Sequence, residues 1–185
     1  MLVFLTIILS IISLLLISII IVFIFFAIDL FLDLPYVATK KDKIPTIIKL
    51  AQIKRGHRLR RHSGLEGETA IDLGSGDGRL LFAAAQIGAH TIGYEINPFL
   101  VVLTRSLAKL KGLASQVVIH KQNLWKADLK IADVIFVYGR KKDMQKFEDF
   151  VYKNAKKGTR IVVNTNQFPN KKPHKSENGV FLYKV

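Results

Sequence analysis

The sequence predicts an α/β chain, a doubly wound and mostly parallel sheet preceded by one long apolar helix. Three observations predict it. Residues 2–28 are continuously apolar, interrupted only by Thr6, Ser10, Ser13 and Ser18. After residue 69, short apolar runs of strand length alternate with segments of helix length, the pattern of βα units on a parallel sheet. One junction, Asp72-Leu73-Gly74-Ser75-Gly76-Asp77-Gly78-Arg79, is a glycine-rich strand-to-helix turn, where such sheets place ligands.

Composition sets the limits. The 185 residues allow one domain and an appendage, and about 155 residues after the apolar start are enough for a core. There is no cysteine, which excludes disulfides, thiolate metal sites and a cysteine nucleophile. The formal charge of +14 falls wholly after residue 28 and favours anionic partners: lipid headgroups, nucleic acid or an acidic protein face.

The apolar run is long enough to cross a bilayer core, which needs about 20 residues. A signal peptide would need a basic start, a shorter apolar centre and a small-residue cleavage site. The reading is therefore a transmembrane anchor over residues 1–28. Lys40, Lys41, Lys43, Lys49, Lys54, Arg55, Arg58, Arg60 and Arg61 all follow the run, and none precedes it. The positive-inside rule then puts the N-terminus outside and the domain on the cytoplasmic side. The same cluster suits a bilayer with anionic headgroups.

Residues 29–64 read as a basic linker. Ile44, Ile47, Ile48 and Ala51 recur at helical spacing, so a short amphipathic helix is predicted over 45–54, with Pro45 in its first turn. The domain is placed at 65–185. Its first strand, 70–73, enters the glycine turn, and a helix runs over 79–86. A second strand ends at Glu95. Asn97 caps a helix that starts with Pro98 and stops at Gly112. Strands follow at 117–120, 133–138 and 160–164, with a helix over 142–154. Residues 169–179 read as a polar loop and 180–185 as an antiparallel terminal strand.

The glycine turn separates two ligand classes. A dinucleotide turn of the form G-x-G-x-x-G needs a small residue where Arg79 stands, and Asp77 would repel a pyrophosphate at the helix N-terminus. S-adenosyl-L-methionine carries no phosphate but bears a sulfonium and an ammonium, which suit the acids Asp72 and Asp77. Gly74, Gly76 and Gly78 let the backbone approach the ligand, with Ser75 between them. Glu95, about 20 residues on at the next strand tip, stands where an acid clamps ribose hydroxyls.

These residues, together with Gly93-Tyr94-Glu95-Ile96-Asn97-Pro98, resemble the class I, seven-β-strand methyltransferases. More narrowly they are similar to the protein-lysine methyltransferases of the ATP synthase c subunit and adenine nucleotide translocator type, and to small archaeal relatives. Pro35-Tyr36-Val37-Ala38-Thr39 resembles the Pro-Tyr-Val-Pro-Thr segment that precedes the domain in those proteins. The resemblance covers about residues 34–185. It implies a Rossmann-like fold, and it adds Tyr36, Thr39, Asn97, Asn123 and Leu124 to the cofactor-site residues, the last two beside the adenine. It also implies a protein substrate, with an integral membrane protein among the candidates.

Tyr138, at the tip of the fourth strand, faces the expected place of the transferable methyl; Tyr138 and Tyr36 are expected to line the transfer site. Methyl transfer from a sulfonium needs alignment more than a general base, and no residue stands out as one. His57, His62, His90, His120 and His174 lack metal-ligand spacing, so no metal is expected. Two other functions are open. The acceptor could be nucleic acid or a small molecule, although the Asn/Asp-Pro-Pro-Tyr signature of nucleic-acid amino methyltransferases is missing. The domain could also be a non-catalytic module that binds the cofactor.

Overall fold

The computed structural model describes residues 2–31, 38–54 and 67–185. Tyr36, Pro35, the basic positions 55–61 and the domain boundary at 64/65 lie outside the described residues. The chain divides into two compact units, residues 1–37 and 38–185.

The first unit is helix α1, Leu2–Phe31. It runs past Asp29, three residues beyond the apolar run. Within it Val3–Ile24 is long and apolar enough to cross a membrane. Two of its hydroxyls are satisfied locally: Thr6 Oγ1 donates to the Val3 carbonyl at 2.8 Å and Ser10 Oγ to that of Thr6 at 2.9 Å. This is how polar side chains are tolerated in an apolar helix.

The second unit is a seven-stranded sheet in the order β3-β2-β1-β4-β5-β7-β6. Strands β1 (Thr69–Leu73), β2 (His90–Glu95), β3 (Val117–Lys121), β4 (Val134–Tyr138) and β5 (Arg160–Asn164) run parallel. β7 (Val180–Lys184) lies antiparallel to β5, and β6 (Lys175–Glu177) antiparallel to β7. The chain thus reverses direction of growth between β1 and β4, and the crevice at that switch point is where ligands bind. Both sheet faces are covered. Ala70, Val134, Phe136 and Val162 on one face and Ile71, Ile135, Ile161 and Val163 on the other are all buried.

The predicted strands and helices are found near their expected limits, α3 at Arg79–Gln86, α4 at Pro98–Leu110 and α5 at Met144–Asn154. The polar loop is a correction, because residues 175–177 within it form edge strand β6. An outermost strand is wet, so it carries no apolar alternation to read. The helix before the domain, α2, is Ile44–Ala51, ended by Gln52 in the left-handed region at φ 49°. It buries Ile47, Leu50 and Ala51 against Ala70, Phe136, Val162 and Val180. It is therefore part of the compact unit that starts at Ala38.

Candidate functional site

β1 and β2 end side by side and deliver Asp72, the glycine turn and Glu95 to one edge of the sheet. The turn is held from below, since the amides of Gly74 and Ser75 both donate to the Tyr94 carbonyl, at 3.0 and 3.1 Å. Gly74, Gly76 and Gly78 all sit at positive φ, 89°, 55° and 78°, which an L side chain rarely adopts. Gly78 has a second reason, because a Cβ there would meet Thr104 Cγ2 at 2.4 Å. Thr104 in turn donates its hydroxyl to the Gly76 carbonyl at 3.0 Å, so α4 helps fix the turn.

Glu95 is buried and joins turn to helix. Its Oε2 accepts the Gly76 amide and its Oε1 the Asn97 amide, both at 2.8 Å. A carboxylate has about four acceptor positions, so it can take ligand hydroxyls as well. Asn97 caps α4, its Oδ1 accepting the Phe99 amide at 3.0 Å. Asn123 does the same for the turn at Leu124–Lys126, accepting the Trp125 amide at 3.0 Å. That turn sets Leu124 beside the glycine loop, its Cδ2 3.7 Å from where a Cβ on Gly74 would be.

Asp72 is buried, and among the described residues no hydrogen bond serves its carboxylate. Burial first, then the nearby charges of Glu95 and Asp77, push its pKa up from 3.8 to about 7. A cation arriving at this spot would relieve the cost. The hydroxyl of Ser75 is likewise buried with no partner among the described residues.

Asp77, whose charge is expected to suit a cationic ligand and acts on Asp72, is paired within the turn. Arg79 takes it: Nε lies 2.9 and 3.2 Å from its two oxygens and Nη2 2.5 Å from Oδ2. Arg79 also donates to the Thr39 carbonyl. Thr39 is thereby brought, buried, to the glycine turn. Sequence reasoning weighs Arg79 only as an obstacle to a dinucleotide.

Across the crevice, Tyr138 ends β4 half-buried and pairs in register with Asn164 of β5. Asn164 is buried, and its Oδ1 accepts the Thr165 hydroxyl at 3.1 Å. Thr165 sits at φ 73°, and Lys43, just ahead of α2, reaches its hydroxyl at 3.3 Å. Asn166 Nδ2 donates to the Gly139 carbonyl at 2.8 Å. Sequence reasoning missed Asn164, although a polar residue closing an apolar strand at the sheet's carboxyl edge was a usable signal. The sequence counts Lys43 only among the cations that follow the apolar run, and nothing in it points to this contact.

Residues 72–175 match the family model described as the ANTKMT methyltransferase domain. The chain belongs to that family. It is similar to the mouse adenine nucleotide translocase lysine N-methyltransferase, 32% identical over 139 residues, 75% of this chain and 55% of that protein. The rat lysine N-methyltransferase of the ATP synthase c subunit is 28% identical over 148 residues, 80% of this chain and 63% of that one. The chain thus spans 55 to 63% of the length of these two relatives. The crystal structure of an RNA methyltransferase from Salinibacter ruber, in complex with S-adenosyl-L-homocysteine, superposes with a TM-score of 0.71 at 27% identity. That match covers 80% of this chain and 94% of the Salinibacter chain.

The cofactor of this ANTKMT-type domain is S-adenosyl-L-methionine. The residues present fit it. A buried acid at the tip of β1 and a buried hydroxyl in the turn that follows, neither with a hydrogen-bond partner among the described residues, stand near the acid Glu95 at the tip of β2. That set suits a ligand with cationic and hydroxyl groups.

Proposed function

We propose that this chain transfers methyl groups to a lysine side chain of a protein and works tethered to a membrane. The observation that carries the reading is Asp72: a buried acid at the tip of β1 with no hydrogen-bond partner among the described residues, beside the Glu95-held glycine turn. It is a site made for a cationic, phosphate-free ligand, in a family whose relatives bear the name lysine N-methyltransferase.

When bound, the cofactor supplies an electrophilic methyl on a sulfonium. Asp72 balances the ligand's positive charge, Glu95 accepts its hydroxyls, and Ser75 offers its buried hydroxyl. Gly74, Gly76 and Gly78 give access to the backbone, and Leu124 walls the glycine turn. At the acceptor side, Tyr138 and Asn164 present a phenol and an amide at the tips of β4 and β5. The incoming amine must lose its proton, and a crevice that is partly apolar and holds a nearby cation lowers its pKa from about 10.4. No dedicated base is needed for that step. Tyr36 is assigned to the same entrance on the family resemblance alone.

α1 supports the anchor: Val3–Ile24 has the length and composition of a span, and the first cations follow it. On this reading the domain lies on the cytoplasmic side, and an integral membrane protein is a fitting acceptor because tethering raises effective concentration.

The test is to incubate the full chain with methyl-labelled cofactor and host membranes and hydrolyse the labelled product. Recovery of label as methyl-lysine supports the reading. Label that ribonuclease releases would favour a nucleic-acid acceptor, which the basic charge and the name of the Salinibacter neighbour make the second reading. Equal labelling of membranes by a chain lacking residues 1–33 contradicts the tether.

A further inference from the structure

The geometry points to α4 as a second membrane contact, a helix that lies on an anionic lipid surface beside the cofactor crevice. It rests on the reading of α1 as an anchor. Among the described residues of the second unit, six large apolar side chains are exposed, and four of them are on this one helix. Val102 is 63% exposed, Leu103 44% and Leu110 82%, with Phe99 at 37%. At about 100° per residue they fall, with Ser106, in one arc of roughly 100°. The opposite side of α4 is already in use, because Leu100, Val101, Thr104 and Ala108 are buried in the domain. The helix is thus apolar on two faces, one packed and one exposed, a pattern that marks an interaction site on a soluble domain.

Charge says which partner. From 96 to 127 the sequence has no acidic residue and five cations, Arg105, Lys109, Lys111, Lys121 and Lys126. Lys109 and Arg105 border the apolar arc on one side. An apolar stripe with phenylalanine and leucine, edged by cations and free of acids, is the composition of a helix lying in a lipid interface. Each cation near an anionic leaflet strengthens the attraction, which salt and leaflet charge then tune. α4 also starts three residues after Glu95, so a bilayer against its first turn would meet the rim of the cofactor crevice.

The chain has no cysteine, so one introduced cysteine carries a unique probe. The full chain is reconstituted into phosphatidylcholine vesicles with or without phosphatidylglycerol. A fluorophore is placed on Val102→Cys, or on Lys153→Cys on α5 as the control, and lipids with acyl-chain spin labels act as quenchers. The expected result is several-fold stronger quenching at position 102 than at 153, reduced without phosphatidylglycerol and by Lys109→Glu. Vesicle flotation reports the anchor separately. A chain that floats but quenches equally at both positions overturns the docking and leaves the anchor standing. A chain that floats with neither vesicle overturns both. A probe at 102 shielded without quenching, together with a doubled mass in detergent, assigns the stripe to a second copy and overturns the proposal.

Discussion

Arg79 grips both carboxylate oxygens of Asp77 with its Nε, at 2.9 and 3.2 Å, and its Nη1 holds the Thr39 carbonyl. One side chain therefore ties the segment before the domain to the cofactor turn. Arg79→Ala should cost about 1–2 kcal/mol, the scale of a charge-assisted hydrogen bond with a partly exposed ion pair. Arg79→Lys should not restore it, because a point charge cannot serve the oxygens and the carbonyl together. Thermal melts and amide exchange over residues 38–51 check this: exchange should rise in both variants.

Gly93 leaves room for Ser75. A Cβ on Gly93 would stand 2.5 Å from Ser75 Oγ and 2.7 Å from Leu81 Cδ1. Gly93→Ala should therefore destabilise by about 1–3 kcal/mol, as overpacking does. Ser75→Ala should be close to neutral for stability, since the hydroxyl it removes has no partner among the described residues. The same variant should weaken cofactor binding several-fold. Melting temperature and calorimetric titration separate the two effects.

The pKa of Asp72, about 7, gives a pH signature with a definite sign. The folded state holds this proton more tightly than the unfolded one. The favourable contribution is complete below pH 3.8 and is lost as pH rises through about 7. Asp72→Asn should therefore stabilise the ligand-free protein more at pH 8 than at pH 5, by at most about 1.4 kcal/mol for each tenfold difference in proton affinity between the two states. Binding a cation favours the charged carboxylate. Affinity for S-adenosylmethionine should rise with pH up to about 7 and then level, with proton release on binding. Asp72→Asn should flatten the profile. Titration in buffers of different ionisation enthalpy measures the proton count.

α2 is predicted to be indispensable to the fold. Leu50 is buried against the sheet face that carries Phe136 and Val162, so Leu50→Ala should cost about 2–5 kcal/mol. A chain beginning at residue 65 should lack a cooperative melt, and one beginning at residue 38 should keep it.

Much of this architecture was legible because its signals are local. Asn97 with Pro98 announces the start of α4, Gly112 its end, and the apolar runs of β1, β4 and β5 are strands buried on both faces. The long glycine turn points to the ligand class through its spacing and the charges of its acids. What the sequence concealed depends on distance along the chain. Leu50 reads as one more apolar residue until β5 and β7 supply the surface it covers. Arg79 has its meaning from Thr39, and Asn164 from Tyr138 on the neighbouring strand. β6 is made by backbone pairing with β7 and carries no side-chain pattern that could announce it. Asp77 reads from the sequence as a charge that suits the cofactor's cation, and its pairing with Arg79, two positions on, appears only in the structure.

The central claim is that Asp72 and Glu95 together hold a positively charged methyl donor. The most direct measurement is calorimetric titration of the full chain with S-adenosylmethionine, wild type against Glu95→Ala. Glu95 is held by the Gly76 and Asn97 amides, so removing it takes away both a ligand contact and the support of the turn. One-to-one binding that falls at least tenfold in Glu95→Ala, about 1.4 kcal/mol or more, is the predicted result. No binding by the wild type, or equal affinity in the two proteins, would contradict the account.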